Sequence, residues 1–261
     1  MKSEIDHGKP HSWGKIADRY AKYRDIYPPV FFERLHHMGV GQTGQRVLDL
    51  GTGTGVLPRG MARYGAHFIG VDSDPGQIKQ AVRLATEAGL DIPFHTLPAE
   101  EIDFGPGSFD GVTACQCYPY FDRKKVLPKL HKILKKDGKF AVLALMWLPN
   151  EDKIAYTSEE LVLKHNPSWT GGGYRRGTPI PAQEEAPWFR REDEQRFELA
   201  LPFTRESWAG RMLACRGTGA ALTPGEAQAF AAEHEEILKQ TTPPEFTVLH
   251  EATILLLKPE R

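Results

Sequence analysis

Residues 46–56 read RVLDLGTGTGV: an apolar run carrying an acid, Asp49, near its end, then three glycines at alternate positions, Gly51, Gly53 and Gly55. A strand that runs into a glycine-rich turn and then a helix is how α/β proteins bring backbone close to a nucleotide-like ligand. Glycine serves there for two reasons. It reaches backbone angles other residues avoid, and it has no Cβ to hold a ligand off.

The spacing bears on which ligand. A dinucleotide fingerprint reads G-x-G-x-x-G, with the pyrophosphate on the next helix N-terminus. Here the pattern is G-x-G-x-G, and the last glycine of that fingerprint is replaced by Val56. Asp49 stands just before the turn, where it repels a diphosphate and suits a cationic or amine-bearing ligand. A second apolar run, HFIGVD at 67–72, also ends in an acid, Asp72. It lies about 20 residues past the turn, where an acid accepts hydrogen bonds from ribose hydroxyls. A turn acid plus a ribose acid fits S-adenosylmethionine, which has an amino group, a sulfonium and a ribose but no phosphate.

These stretches, with GVDSD at 70–74, LPAEEIDFGPGSFDGVTACQCYPYFD at 97–122 and LKKDGKFAVLAL at 134–145, resemble the class I S-adenosylmethionine-dependent methyltransferases. The likeness is to the small-molecule group that includes the quinone-biosynthesis and trans-aconitate methyltransferases. It covers residues 12–148 well and the rest loosely. It implies a doubly wound, mostly parallel seven-stranded sheet of Rossmann-like type, its last strand antiparallel. The cofactor it implies is S-adenosyl-L-methionine, with S-adenosyl-L-homocysteine as product.

The resemblance also implies roles. Gly51, Gly53 and Gly55 let backbone approach the methionine part of the cofactor, and Asp49 acts on its amino group. Asp72 holds the ribose, and Ser73 neighbours the adenosine or serves as a plain cap. Ala99 and Glu100 approach the adenine. Gln116 and Cys117 line the sulfonium end. Tyr20 and Arg24 match a Y-x-x-x-R segment that covers the pocket in relatives. Relatives often continue the fourth-strand motif as Q-x-F-H-W-F, which here is Gln116 to Phe121 with Pro119 in place of the histidine. A mechanism using that histidine as base does not carry over. Tyr118 and Tyr120 are the catalytic candidates, to orient an acceptor or take a proton through water; the alternative is that they are packed aromatics.

Composition agrees with a soluble enzyme. The chain has 261 residues and a formal net charge of −1, from 33 basic and 34 acidic residues, which gives no bulk attraction for nucleic acid. No apolar run nears the ~20 residues that span a bilayer, and the start, MKSEIDHGKPHSW, lacks a signal-peptide core. Cys115, Cys117 and Cys215 suggest no disulfide scaffold. Cys115 and Cys117 resemble half a metal site, but no second pair exists, so no metal is expected. The expectation is a cytoplasmic monomer or homodimer, without nucleic-acid or membrane partners.

Along the chain, residues 12–38 read as helix, with Ser12 as cap and Pro28–Pro29 splitting it in two. Strands are expected at about 46–50, 67–72, 92–97, 109–115 and 139–145. Helices are expected at about 54–64, from Pro75 to near Gly89, and at 122–136, with Asp137–Gly138 as a turn. Runs at 196–202 and 246–257 complete the sheet. Residues 149–194, rich in proline and with Gly171–Gly173, Trp169 and Trp188, read as a long irregular connection, a cap or lid over the substrate. A helical piece at about 204–240 adds to it.

The resulting division is 1–40 as an N-terminal helical segment, 41–148 as the cofactor-binding core, 149–194 as the cap and 195–261 as the C-terminal strands with their helices. Trp147, His165, Trp169, Tyr174, Arg175, Arg176 and Arg211 are candidate acceptor contacts. The expected activity is methyl transfer to an O, N, S or C nucleophile of a small molecule. The alternative is a protein that binds the same cofactor in a non-methylating or regulatory role.

Overall fold

The computed structural model describes residues 5–180 and 185–260. Pro181 of the expected cap, and the first four residues of the expected N-terminal segment, lie outside them. In chain order the elements are α1 (Ala17–Tyr23), α2 (Pro29–His37), β1 (Arg46–Leu50), α3 (Val56–Met61), β2 (His67–Asp72), α4 (Pro75–Glu87), β3 (Phe94–Thr96), β4 (Phe109–Cys115) and α5 (Arg123–Ile133). There follow β5 (Leu134–Trp147), α6 (Lys153–His165), β6 (Phe189–Thr204), α7 (Arg205–Leu213), α8 (Pro224–Thr241) and β7 (Glu245–Pro259).

The strands form one seven-stranded sheet in the order β3-β2-β1-β4-β5-β7-β6. The neighbours β3–β2, β2–β1, β1–β4 and β4–β5 are parallel. The sheet as a whole is mixed, so the expected mostly parallel sheet holds for these five strands. The chain steps outward from β1 to β2 and β3, then returns to lay β4 on the other side of β1. Ligands of open α/β sheets bind at such a switch point, beyond the carboxyl ends of the strands. Here those ends are Leu50 and Cys115.

The chain divides into two compact units. One comprises Tyr27–Ala144, Pro179–Arg196 and Ala252–Arg261. Its core joins Leu48, Leu50, Val71, Phe109, Val112, Phe140, Leu255 and Leu257, all buried. Near-continuous apolar runs of this kind are what a parallel sheet covered on both faces requires. The other unit comprises Met1–Ile26, Leu145–Thr178 and Phe197–Glu251. Its centre is the fully buried Trp208, edge-on to Trp147 at 5.8 Å and to Phe203 at 4.9 Å. The Trp208 indole N–H donates to Ser158 Oγ at 2.9 Å.

Several local expectations change. Ser12 caps nothing: its N–H donates to the Ala220 carbonyl, and α1 begins at Ala17 after a short turn with no side-chain cap. Side-chain caps occur instead at Asp74, which accepts from Gly76 and Gln77, at Asp152, which accepts from Ile154 and Ala155, and at Thr204 and Thr223, which accept from Ser207 and Glu226. Asp137–Gly138 does not end an element but lies inside β5. Phe109 pairs with Leu134 and Gly111 with Lys139, so five residues of β5 face two of β4 and the surplus bulges out. The stretch 149–194 is less irregular than expected. It contains α6, with Asp152 as its cap, and β6 already begins at Phe189. Proline at 149 and 167 flanks that helix and never enters it.

β6 lies at one edge of the sheet. Its first half reads FRREDEQR, and residues 190–194 are exposed. Arg191 and Arg196 both pair with Glu194.

Candidate functional site

The glycine turn follows β1 directly. Gly51, Gly53 and Gly55 all have positive φ, at 58°, 55° and 74°, a region that side chains with a Cβ rarely enter. The turn is also tightly covered. A Cβ on Gly51 would lie 2.7 Å from Cys117 Cβ, and one on Gly55 would lie 2.8 Å from the Phe94 ring. Gly55 sits just before α3, so the turn delivers the chain straight to a helix N-terminus.

Two carboxylates bracket this turn. Asp49 is buried and accepts the Thr113 hydroxyl at 2.6 Å. Burial pushes its pKa up to about 7, against the Thr113 hydrogen bond, and the neighbouring charge of Asp72 adds to the rise. Asp72 accepts the Gly53 and Asp74 backbone N–H groups, each at 2.9 Å. Burial raises its pKa too, opposed by those N–H groups. Among the described residues no cation contacts either acid. The donor set therefore suits a ligand that brings its own positive charge and hydroxyl groups, and it repels a diphosphate.

Cys117 closes the turn from the β4 side. Its thiol donates to the Leu50 carbonyl at 3.0 Å. Burial, with Asp49 behind it, pushes the thiol well above its ordinary range, which disfavours the reactive thiolate. Gln116 before it takes φ 63°, rare for a residue with a side chain, and its N–H donates to the Leu143 carbonyl. The strain turns the chain sharply at the end of β4 and sends Cys117 back over Gly51.

The remaining expected residues divide. Ser73 follows Asp72 directly, but the cap of α4 is Asp74, so a cap role for Ser73 does not hold. Ala99 is buried in the short turn Ala99–Glu101. The Glu100 carboxylate accepts the Asp122 N–H at 2.8 Å, at the start of α5. Tyr118 is buried in the apolar core, its hydroxyl donating to Glu185 at 2.5 Å, which is a packing arrangement. Tyr120 is half-buried. Tyr20 and Arg24 lie on and just after α1 in the other unit. The Arg24 guanidinium lies 4.6 Å over the Tyr20 ring, and its Nη1 donates to the Ala214 carbonyl. Their expected part in the cofactor site rests on the resemblance alone.

The cap candidates are held within their own unit. Arg176 pairs with Glu151 and Glu198, His165 with Glu233, and Arg211 lies 4.9 Å over the Trp147 ring. The Trp147 indole donates to Glu159 at 2.5 Å, whose other oxygen takes the Gly173 N–H. Tyr174 donates to the buried Glu251 at 2.6 Å. Arg175 is exposed. Thr113 is the residue the sequence reading missed. The signal was present: it is a polar residue inside the apolar run FDGVTAC, on the strand next to Asp49.

A sheet of this order with a glycine turn and two acids at its switch point defines an α/β protein of the Rossmann-like kind. The family described as "Methyltransferase domain" matches residues 47–138, the span from β1 into β5. Ubiquinone biosynthesis O-methyltransferase of Pseudomonas aeruginosa is 26% identical over 179 residues, 64% of this chain and 75% of that protein. The same enzyme of Xanthomonas euvesicatoria is 29% identical over 170 residues, covering 64% and 70%. Among solved structures, the YcgJ protein of Bacillus subtilis is 23% identical with a TM-score of 0.56, over 89% of this chain and 98% of that one. A type II methyltransferase of Anaeromyxobacter dehalogenans, so described provisionally, is 20% identical with a TM-score of 0.57, over 90% and 96%. At such identities the structures speak for the fold. Together the family match and the named relatives support a class I S-adenosylmethionine-dependent methyltransferase.

Proposed function

We propose that this methyltransferase takes its methyl group from S-adenosyl-L-methionine at the β1–β4 switch point and delivers it to a nucleophilic O, N, S or C atom of a small molecule. The observation that carries the donor site is Asp49, a buried acid beside a glycine turn and, among the described residues, with no cation in contact with it. In this reading Asp49 takes the donor's amino group and Asp72 its ribose hydroxyls. Gly51, Gly53 and Gly55 give backbone access, and the turn at Ala99–Glu101 borders the adenine. The named O-methyltransferase relatives favour an oxygen nucleophile.

Bound, the donor supplies a methyl already activated by its positive sulfur. The protein's part is to hold the nucleophile in line, about 3 Å from that carbon. A base is needed only where the acceptor's proton must leave early. That agrees with Pro119 standing where relatives carry a histidine. Residues 41–148 are assigned to the donor. The stretch 149–194 with α7 and α8 is assigned to the acceptor.

The test is isothermal titration with S-adenosylmethionine, S-adenosylhomocysteine and NADH. Micromolar binding of the first two without NADH supports the donor site and opens a screen of small acceptors. Binding of NADH alone overturns it.

A further inference from the structure

The carboxyl end of β4 carries one group with no role so far, Tyr27. It precedes Pro28, which restricts it to extended backbone and leads directly into α2. Its ring packs edge-on to Phe31 at 4.9 Å and lies 6.3 Å from Phe32, both buried. Its hydroxyl oxygen accepts the Cys115 thiol at 3.4 Å. Backbone, ring and hydroxyl are thus all fixed.

The placement matters because of what Cys115 shares a face with. Cys115 ends β4 two residues after Thr113. Side chains two apart on a strand point to one face, about 6.8 Å apart. Thr113 holds Asp49. Asp49 and Thr113, then Cys115 and Tyr27, make two successive polar rungs along the β1–β4 seam, ending at the carboxyl edge.

We propose that the Tyr27 phenol oxygen is a positioning group for methyl transfer, facing the sulfonium methyl from the β4 side. This rests on the donor site proposed above. The donor's sulfur is three carbon atoms from its amino nitrogen, a separation on the scale of one rung. An amino group on Asp49 therefore brings the sulfonium level with Cys115 and Tyr27. The C–H bonds of a sulfonium methyl are polarised, and an oxygen at about 3.3–3.6 Å from the carbon attracts them. A phenol oxygen has two lone pairs, so accepting the thiol proton leaves it able to accept a second contact.

The experiment is fluorine NMR of the full chain labelled with meta-fluorotyrosine. The sequence has eight tyrosines. Tyr27→Phe removes one signal and so assigns it. Should that variant fail to fold, Cys115→Ala assigns it instead, by shifting the tyrosine whose hydroxyl it touches. Saturating S-adenosylmethionine is expected to move the Tyr27 signal more than S-adenosylhomocysteine, which lacks the methyl and the charge. By calorimetry Tyr27→Phe is expected to weaken S-adenosylmethionine by about two- to fivefold and to leave S-adenosylhomocysteine unchanged. Calorimetric binding of S-adenosylmethionine with an unmoved Tyr27 signal overturns the proposal, as does equal weakening of both ligands. No binding of S-adenosylmethionine to the unaltered protein removes the donor site itself, and this proposal with it.

Discussion

Thr113 donates its hydroxyl to Asp49 at 2.6 Å across the β1–β4 seam, and both side chains are buried. A strand-interior threonine thereby fixes the acid on which the proposed donor site depends. Thr113→Val keeps the volume and removes the donor. A buried carboxyl that loses its partner costs about 1–3 kcal/mol. Urea unfolding at pH 8 should show a loss of that size. An unchanged midpoint would mean that Asp49 finds another partner.

Asp49 also sets a pH dependence. Burial raises its pKa from 3.8 to about 7, so the folded chain holds a proton that the unfolded chain releases at lower pH. The stability tied to that proton is fully present below about pH 4 and is lost as pH rises through about 7. Asp49→Asn is therefore expected to be more stable than the parent at pH 8 and equal to it near pH 4. Binding runs the opposite way. A cationic donor needs the ionised carboxylate, so calorimetric affinity should rise with pH through about 7, and the rise should vanish in Asp49→Asn.

Asp72→Ala removes the proposed acceptor of the ribose hydroxyls. Hydrogen bonds to a charged group contribute about 1.5–3 kcal/mol, so affinity for S-adenosylhomocysteine is expected to fall by roughly ten- to a hundredfold. Unaltered affinity would sink the ribose assignment.

Much of this was legible in the chain. Apolar runs marked β2 and β4 to the residue, because buried parallel strands need continuous apolar sequence. The glycine pattern marked the turn, because only glycine takes three positive φ values in five positions. What was hidden depends on partners distant in sequence. The Asp137–Gly138 pair is turn chemistry, but pairing with β4 absorbs it into a bulge. Helix α6 was masked by its flanking prolines, although Asp152 marked its start. Tyr118 read as a cleft residue, and only the fold shows it turned into the core toward Glu185, 67 positions away.

Tyr118→Phe tests that last point. It removes the hydrogen bond that Tyr118 gives the buried Glu185, so stability should drop by about 1–3 kcal/mol, while donor affinity stays level. Lost donor affinity with unchanged unfolding would return Tyr118 to the cleft.

Gly51→Ala meets two obstacles, a φ of 58° and Cys117 Cβ at 2.7 Å. The left-handed backbone alone costs a residue with a Cβ roughly 1–2 kcal/mol. Cys117 Cβ at 2.7 Å and Sγ at 2.8 Å both obstruct the new methyl, so Cys117→Ala, which removes only the Sγ, is expected to recover less of the loss than Cys117→Gly. Thermal unfolding of the three variants distinguishes these outcomes.

The charged half of β6 has a consequence for how this protein survives in a crowded solution. A sheet margin is a template on which foreign strands can grow, and a long smooth one invites fibres. Here any newcomer would have to strip water from a run of arginines and acids, several already engaged with one another. The margin stays wet, and growth of the sheet stops where the chain's own strands run out.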